Sequence, residues 1–150
     1  MNRFRFRLQS VLKYREAIEE TKKRDLGVSM SHLHREEEHF NKIQDTIKDT
    51  DREREQESQG SINVRVLTQG FYYSRLLERK KNDQKKAVER AEKIVEIKRN
   101  ELSETVKRRK ILERLREKKV EEYNADASKE EQALIDDSAT MRFSDPGKNR

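Results

Sequence analysis

Three histidines, His32, His34 and His39, are the side chains best suited to metal binding or proton transfer. A metal site on one helix needs ligands about a turn apart, so that two imidazoles reach one ion. His32 and His39 are seven apart and share a helix side, with two turns between them. His34 and His39 are five apart and diverge. The spacing points to solvated side chains flanking a seam, and no metal site is expected. Carboxylates crowd the same stretch, as in Glu36-Glu37-Glu38. General acid–base work needs a pocket that moves a carboxyl pKa, and two paired helices offer none. The chain has no cysteine, which removes disulfides, thiol nucleophiles and thiolate metal sites. It has no phosphate-binding glycine loop, dinucleotide glycine pattern or nucleophile elbow. The expected catalytic set is therefore empty, with no cofactor and no small-molecule substrate: the chain does not read as an enzyme.

Binding is a different matter. Arg79-Lys80-Lys81 and Lys107-Arg108-Arg109-Lys110 are dense basic runs, and residues 75–119 hold 18 basic against 9 acidic side chains. Such a stretch faces nucleic acid, acidic lipid or an acidic protein surface. The basic region of a DNA-reading zipper carries few acids, whereas Glu101, Glu104, Glu113 and Glu117 interleave here. A basic coiled-coil nucleic-acid-binding protein is the alternative reading, and a protein partner is preferred to it. At the N-terminus, Arg3, Arg5 and Arg7 alternate with Phe4 and Phe6. So short a segment binds lipid weakly, and a protein contact is again preferred. Further on, Phe71-Tyr72-Tyr73 and Leu76-Leu77 place five large apolar residues within seven. A two-stranded seam cannot take all five. Either some face outward as a partner site, or packing near a turn is locally broader.

The elements that must carry these residues follow from composition and period. Charged residues make up 44% of the 150 and hydrophobic ones 31%, with four Gly and one Pro. A globular core needs nearer half apolar, so long helix or disorder remains, and periodicity selects helix. Leu12, Leu26, Leu33, Phe40 and Ile47 share one heptad position, interrupted at Glu19, and Leu8 and Ile43 fall on the neighbouring one. This is a narrow coiled-coil stripe. A second stripe runs from Val66 through Leu77, Ala91, Val95, Leu102, Val106 and Leu112 to Tyr123, with Lys98, Arg109 and Lys119 expected to lay their stems along the seam. Ser58-Gln59-Gly60-Ser61-Ile62-Asn63 reads as a turn between them.

The expected fold is all-α: two long helices in an antiparallel coiled-coil hairpin over residues 1–137. The helices are placed at about 5–57 and 66–137, the turn at 58–65 and a flexible tail at 138–150. Residue i then faces residue 122 minus i, so Leu8 meets the region of Arg114 and Leu115, and Ile47 that of Tyr73 to Leu77. At ~1.5 Å per residue the second helix, beyond 100 Å long, overhangs the first by roughly 20 residues. The basic N-terminal segment lies beside Val106 to Lys119, making one open, positive end. No apolar run approaches the roughly 18 residues that span a bilayer. The N-terminal residues lack the apolar stretch of a signal peptide, so a cytoplasmic location is expected.

Four stretches carry a family resemblance. Phe4-Arg5-Phe6-Arg7-Leu8-Gln9-Ser10-Val11-Leu12-Lys13-Tyr14-Arg15 resembles the start of the flagellar export protein FliJ. Thr68-Gln69-Gly70-Phe71, Leu112-Glu113-Arg114-Leu115-Arg116-Glu117-Lys118-Lys119 and Asp136-Asp137-Ser138-Ala139-Thr140-Met141-Arg142-Phe143 resemble later parts of that family, in order. The resemblance implies an antiparallel two-helix coiled coil similar to the gamma stalk subunit of rotary ATPases. It implies a component of the flagellar type III export apparatus, cytoplasmic and peripheral to the inner face of the cell membrane. The implied partners are the hexamer of the export ATPase FliI, the export gate protein FlhA and export chaperones. Membrane association would be indirect, through the apparatus. On this reading the ATPase ring takes the open end, at Phe4, Phe6, Arg7, Leu8, Leu12, Arg108, Arg109, Leu112 and Arg116. The gate takes the aromatic stretch, at Phe71, Tyr72 and Leu76.

Overall fold

The computed structural model describes residues 3–61 and 63–143, with the side chains of Arg142 and Phe143 excepted. Nearly all of these residues belong to two helices, α1 (Gln9–Glu57) and α2 (Val64–Phe143). Among the described residues there is no strand. The architecture is the all-α antiparallel hairpin that the two stripes predict. The charged residues on the outer faces are mostly good helix formers, and the only proline, Pro146, lies beyond α2.

The helix ends show how the chain turns. Ser58 N donates to the Arg54 carbonyl at 3.1 Å, the last full α-helical step of α1. Gln59 N then donates to Gln56 O at 3.3 Å and Gly60 N to Glu57 O at 3.4 Å, a tightening to three-residue steps. Gly60 keeps a negative φ, so α1 ends by tightening and does not use a left-handed glycine. Asn63 caps α2: its side-chain oxygen accepts from Arg65 N at 3.0 Å. Its carbonyl accepts from Leu67 N at 3.1 Å. Such a cap contributes about 1 kcal/mol.

The chain packs as two compact units, one of residues 19–104 and one of residues 1–18 with 105–150. In the first, Glu19, Leu26, Leu33, Phe40, Ile47 and Arg54 recur every seven residues of α1 and are all buried or half-buried. On α2 of the same unit Leu77, Ala91 and Val95 are buried, and Leu67, Val88 and Leu102 half-buried. Each fully buried aliphatic stabilises by roughly 1.5–3 kcal/mol. Polar pairs cross the same seam. Gln84 Nε2 donates to the Glu36 carbonyl at 3.0 Å and also to the Glu36 carboxylate. Lys22 Nζ sits 2.7 Å from Glu101 Oε2, with Lys98 Nζ at 3.4 Å from the same oxygen. Lys22 meets Glu101 where the hairpin register predicts residue 100, Glu36 meets Gln84 where it predicts 86, and Arg54 meets Ser74 where it predicts 68. The larger offset belongs to an arginine, whose long stem reaches along the helix axis.

The second unit is sealed by Leu12, 2% exposed and the largest fully buried side chain among the described residues. In the same unit Thr105 is buried, and Ile18, Val106, Leu112 and Val120 are half-buried. Before α1 begins, Arg3 to Phe6 is non-helical, and the Phe4 ring lies 5.6 Å from the Tyr123 ring at a tilt of 57°. Lys98 and Arg109 are half-buried as seam residues, but Lys119 is exposed. The seam passes instead through Val120, Tyr123 and Ala127, because the heptads shift phase after Leu112. Beyond Tyr123, α2 continues as helix, and all residues of 128–141 are exposed. Ser138 Oγ donates to the Leu134 carbonyl at 2.9 Å and Thr140 Oγ1 to the Asp136 carbonyl at 2.6 Å, so 138–143 is helical within the stretch expected as a tail. Residues 144–150 of that stretch lie outside the described residues.

Candidate protein-docking surfaces

The short non-helical segment before α1 sorts its own side chains. Its period of two sends Phe4 and Phe6 inward, where they are half-buried, and leaves Arg3, Arg5 and Arg7 exposed. With Leu8, and with Leu115 and Lys119 of α2, residues 4–7 line an open groove of about 500 Å³. Its floor is apolar and its rim carries Arg5, Arg7 and Lys119. A second, adjoining groove brings in Gln9, Ser10 and Arg116. All nine residues expected to meet an ATPase ring thus fall in one unit. Phe4, Phe6, Arg7 and Leu8 share the groove, Arg116 stands beside it, and Arg108 is exposed. Leu112 is half-buried, and Arg109 is half-buried and paired with the Glu113 carboxylate. Leu12 is interior and lines neither groove. Leu115 and Lys119 were not in the expected set. For Leu115 the signal was present, since the hairpin register puts Leu8 opposite it. Nothing in the sequence singled out Lys119 as a rim residue.

The aromatic stretch divides in the other unit. Leu77 is buried, whereas Phe71 is 60% exposed, Tyr72 71% and Leu76 47%. Some of the five apolar residues do face outward. Tyr72 and Leu76 are one helical turn apart and share a face, while Phe71 is rotated about 100° from Tyr72. Arg54 covers Phe71, its guanidinium carbon 5.6 Å from the ring centroid. Arg54 is itself held by Ser74 Oγ at 3.1 Å and Asp51 Oδ1 at 3.0 Å. The expected gate residues therefore form two neighbouring features, a bare Tyr72–Leu76 strip and a cation-covered Phe71. Tyr73 faces a further groove with Leu77, shared with His39, Ile43 and Thr46 of α1.

His32 Nε2 lies 3.6 Å from Glu36 Oε1 and His34 Nε2 3.4 Å from Glu38 Oε1, each pair four apart along α1. Among the described residues no cluster of three or more His, Cys, Asp or Glu side chains could hold a metal ion. No helix among them is long and apolar enough to cross a membrane.

The Lys22–Glu101 pair ties the two helices together. The hydrogen bond from Lys22, then that from Lys98, holds the Glu101 carboxyl below its ordinary range. The same bond to Glu101 raises Lys22. Glu122 is likewise lowered by its hydrogen bond from Lys119.

Fold and surfaces together define a coiled-coil hairpin protein whose exposed features suit contact with other proteins. The family model described as flagellar FliJ protein matches residues 4–148. The chain belongs to that family and is a component of the flagellar export apparatus, serving protein transport. No curated protein and no solved structure matches it.

Proposed function

We propose that this chain is a non-catalytic adaptor that docks its Phe4–Leu8 end into the ring of the export ATPase FliI and promotes ring activity. The observation that carries this reading is the basic-rimmed apolar groove of Phe4, Phe6, Leu8 and Leu115, which suits insertion into an acidic, partly apolar ring lining. Arg108 and Arg116, both exposed, add charge beside it. The Tyr72–Leu76 strip and Phe71 are the contact for the export gate protein FlhA. Chaperone binding follows from the family resemblance alone. Location at the inner face of the cell membrane would be indirect, through the apparatus. The chain's binding energy shifts the conformations of the ring, and no bond is made or broken on the adaptor.

The test is ATP hydrolysis by purified FliI with increasing amounts of the full chain. Hydrolysis rises with the wild type and loses that rise with Arg108→Glu/Arg116→Glu, whose fold is intact because both side chains are exposed. Hydrolysis unchanged by the wild-type chain at every ratio refutes the reading.

A further inference from the structure

The heptad stripe of α2 outlasts α1. Val120, Ala127, Leu134 and Met141 recur every seven residues, and the last two are 71% and 69% exposed. Around Leu134 stand Glu130 and Glu131 one turn before, and Asp136 and Asp137 just after, all exposed. This is an apolar knob ringed by acids. The same unit holds its complement, the groove floored by Phe6, Leu8 and Leu115 and rimmed by Arg5, Arg7 and Lys119.

Knob and groove cannot meet within one molecule. Both Lys119 and Leu134 belong to the unbroken helix α2, and the fifteen residues between them span about 22 Å. The two knobs of a pair cannot cover each other either. That would set Glu130 and Glu131 against Asp136 and Asp137, and like charges side by side destabilise. A second copy running antiparallel satisfies both ends together. Placing Leu134 level with residue 117 of the other α2 also places the other Leu134 level with residue 117, as two-fold symmetry requires. Asp137 then comes level with Arg114 of the second copy, and Asp136 level with Leu115, between Arg114 and Arg116.

We propose that two copies of this chain associate through reciprocal docking of the Leu134 knob into the Phe4–Leu8 groove. The dimer covers that groove and withholds it from any other partner.

Sedimentation velocity of the full chain tests this, over roughly a hundredfold range of concentration, where mass action exposes a reversible dimer. At about 0.1 M salt, where screening acts over about 10 Å, a monomer–dimer equilibrium is expected; at about 1 M, where it acts over about 3 Å, association weakens tenfold or more. Leu134→Glu abolishes the dimer with helicity unchanged, since the residue is exposed. Arg5→Glu/Arg7→Glu and Glu131→Lys/Asp137→Lys chains each self-associate weakly, and mixing them restores a mixed dimer. A monomer at every concentration in low salt overturns the proposal. So does a dimer indifferent to Leu134→Glu, or a failure of the two charge-reversed chains to pair.

Discussion

Replacing Gly27 with alanine tests whether α1 is one continuous helix through its apolar stripe. Gly27 lies within Gln9–Glu57, its φ is not positive, and a Cβ built on it meets nothing within 4 Å. No packing change therefore accompanies the substitution, and the whole effect is backbone. Alanine loses less conformational freedom than glycine on entering a helix, a gain of about 1 kcal/mol. For a chain of this size that raises the thermal midpoint by about 2–4 °C. In urea, a slope of about 1–3 kcal/mol per M moves the midpoint up by roughly 0.3–1 M. Circular dichroism at the helical minimum reads both. An unchanged or lowered midpoint would mean that residue 27 is a break or hinge, and the side-by-side placement of Glu19 to Leu33 against α2 would fall with it.

Other perturbations probe other links. Leu12→Ala should cost about 3 kcal/mol, the usual toll for a buried leucine that leaves a partial cavity, seen as a thermal midpoint about 6–12 °C lower. Because Glu101 is held below its ordinary value of 4.5, its contribution is present above that value and disappears as pH falls through its folded value. Acid titration of unfolding should therefore be shallower in Glu101→Gln than in the wild type. Lys22 is raised above 10.5, so its contribution is full below that pH and disappears as pH climbs through its folded value. Lys22→Met should flatten the alkaline limb of the same titration. Tyr72→Ala/Leu76→Ala should leave stability within about 0.5 kcal/mol, as both side chains are exposed, while weakening capture of FlhA measured by surface binding.

The fold was legible because heptad spacing survives a polar sequence. Leu12, Leu33 and Phe40 marked one edge, Leu77, Ala91 and Val95 the other, and Ser58 to Asn63 the reversal. Antiparallel pairing alone places Leu8 near Leu115, and both line the same groove. What escaped were contacts made by long or amide side chains. Asn63 read only as a turn residue, since capping depends on where its oxygen falls relative to Arg65 N. Arg54 sits at a stripe position, yet its contact with Phe71 depends on a stem reaching toward the turn. Lys119 was assigned to the seam by extending one register, and the phase shift after Leu112 moved that role to Val120. Crowding left open whether some of the five apolar residues at 71–77 face outward or packing is broader there, and could not tell which are exposed or that Phe71 stands apart from Tyr72 and Leu76.

The amide–carbonyl contact between Gln84 and Glu36 has a mechanical corollary. A thin greasy edge alone tolerates slippage, because moving one strand of the pair by seven residues matches leucine with leucine again. Here such a jump would bring Ser29 or Ile43 to the place of Glu36: a backbone carbonyl still faces the enclosed amide of Gln84, but its carboxylate acceptor is gone, a loss of about 1–3 kcal/mol for a hydrogen bond to a charged group. The polar notch thus acts as a key: of the alignments that the apolar stripe allows, it favours the one that sets Glu36 against Gln84.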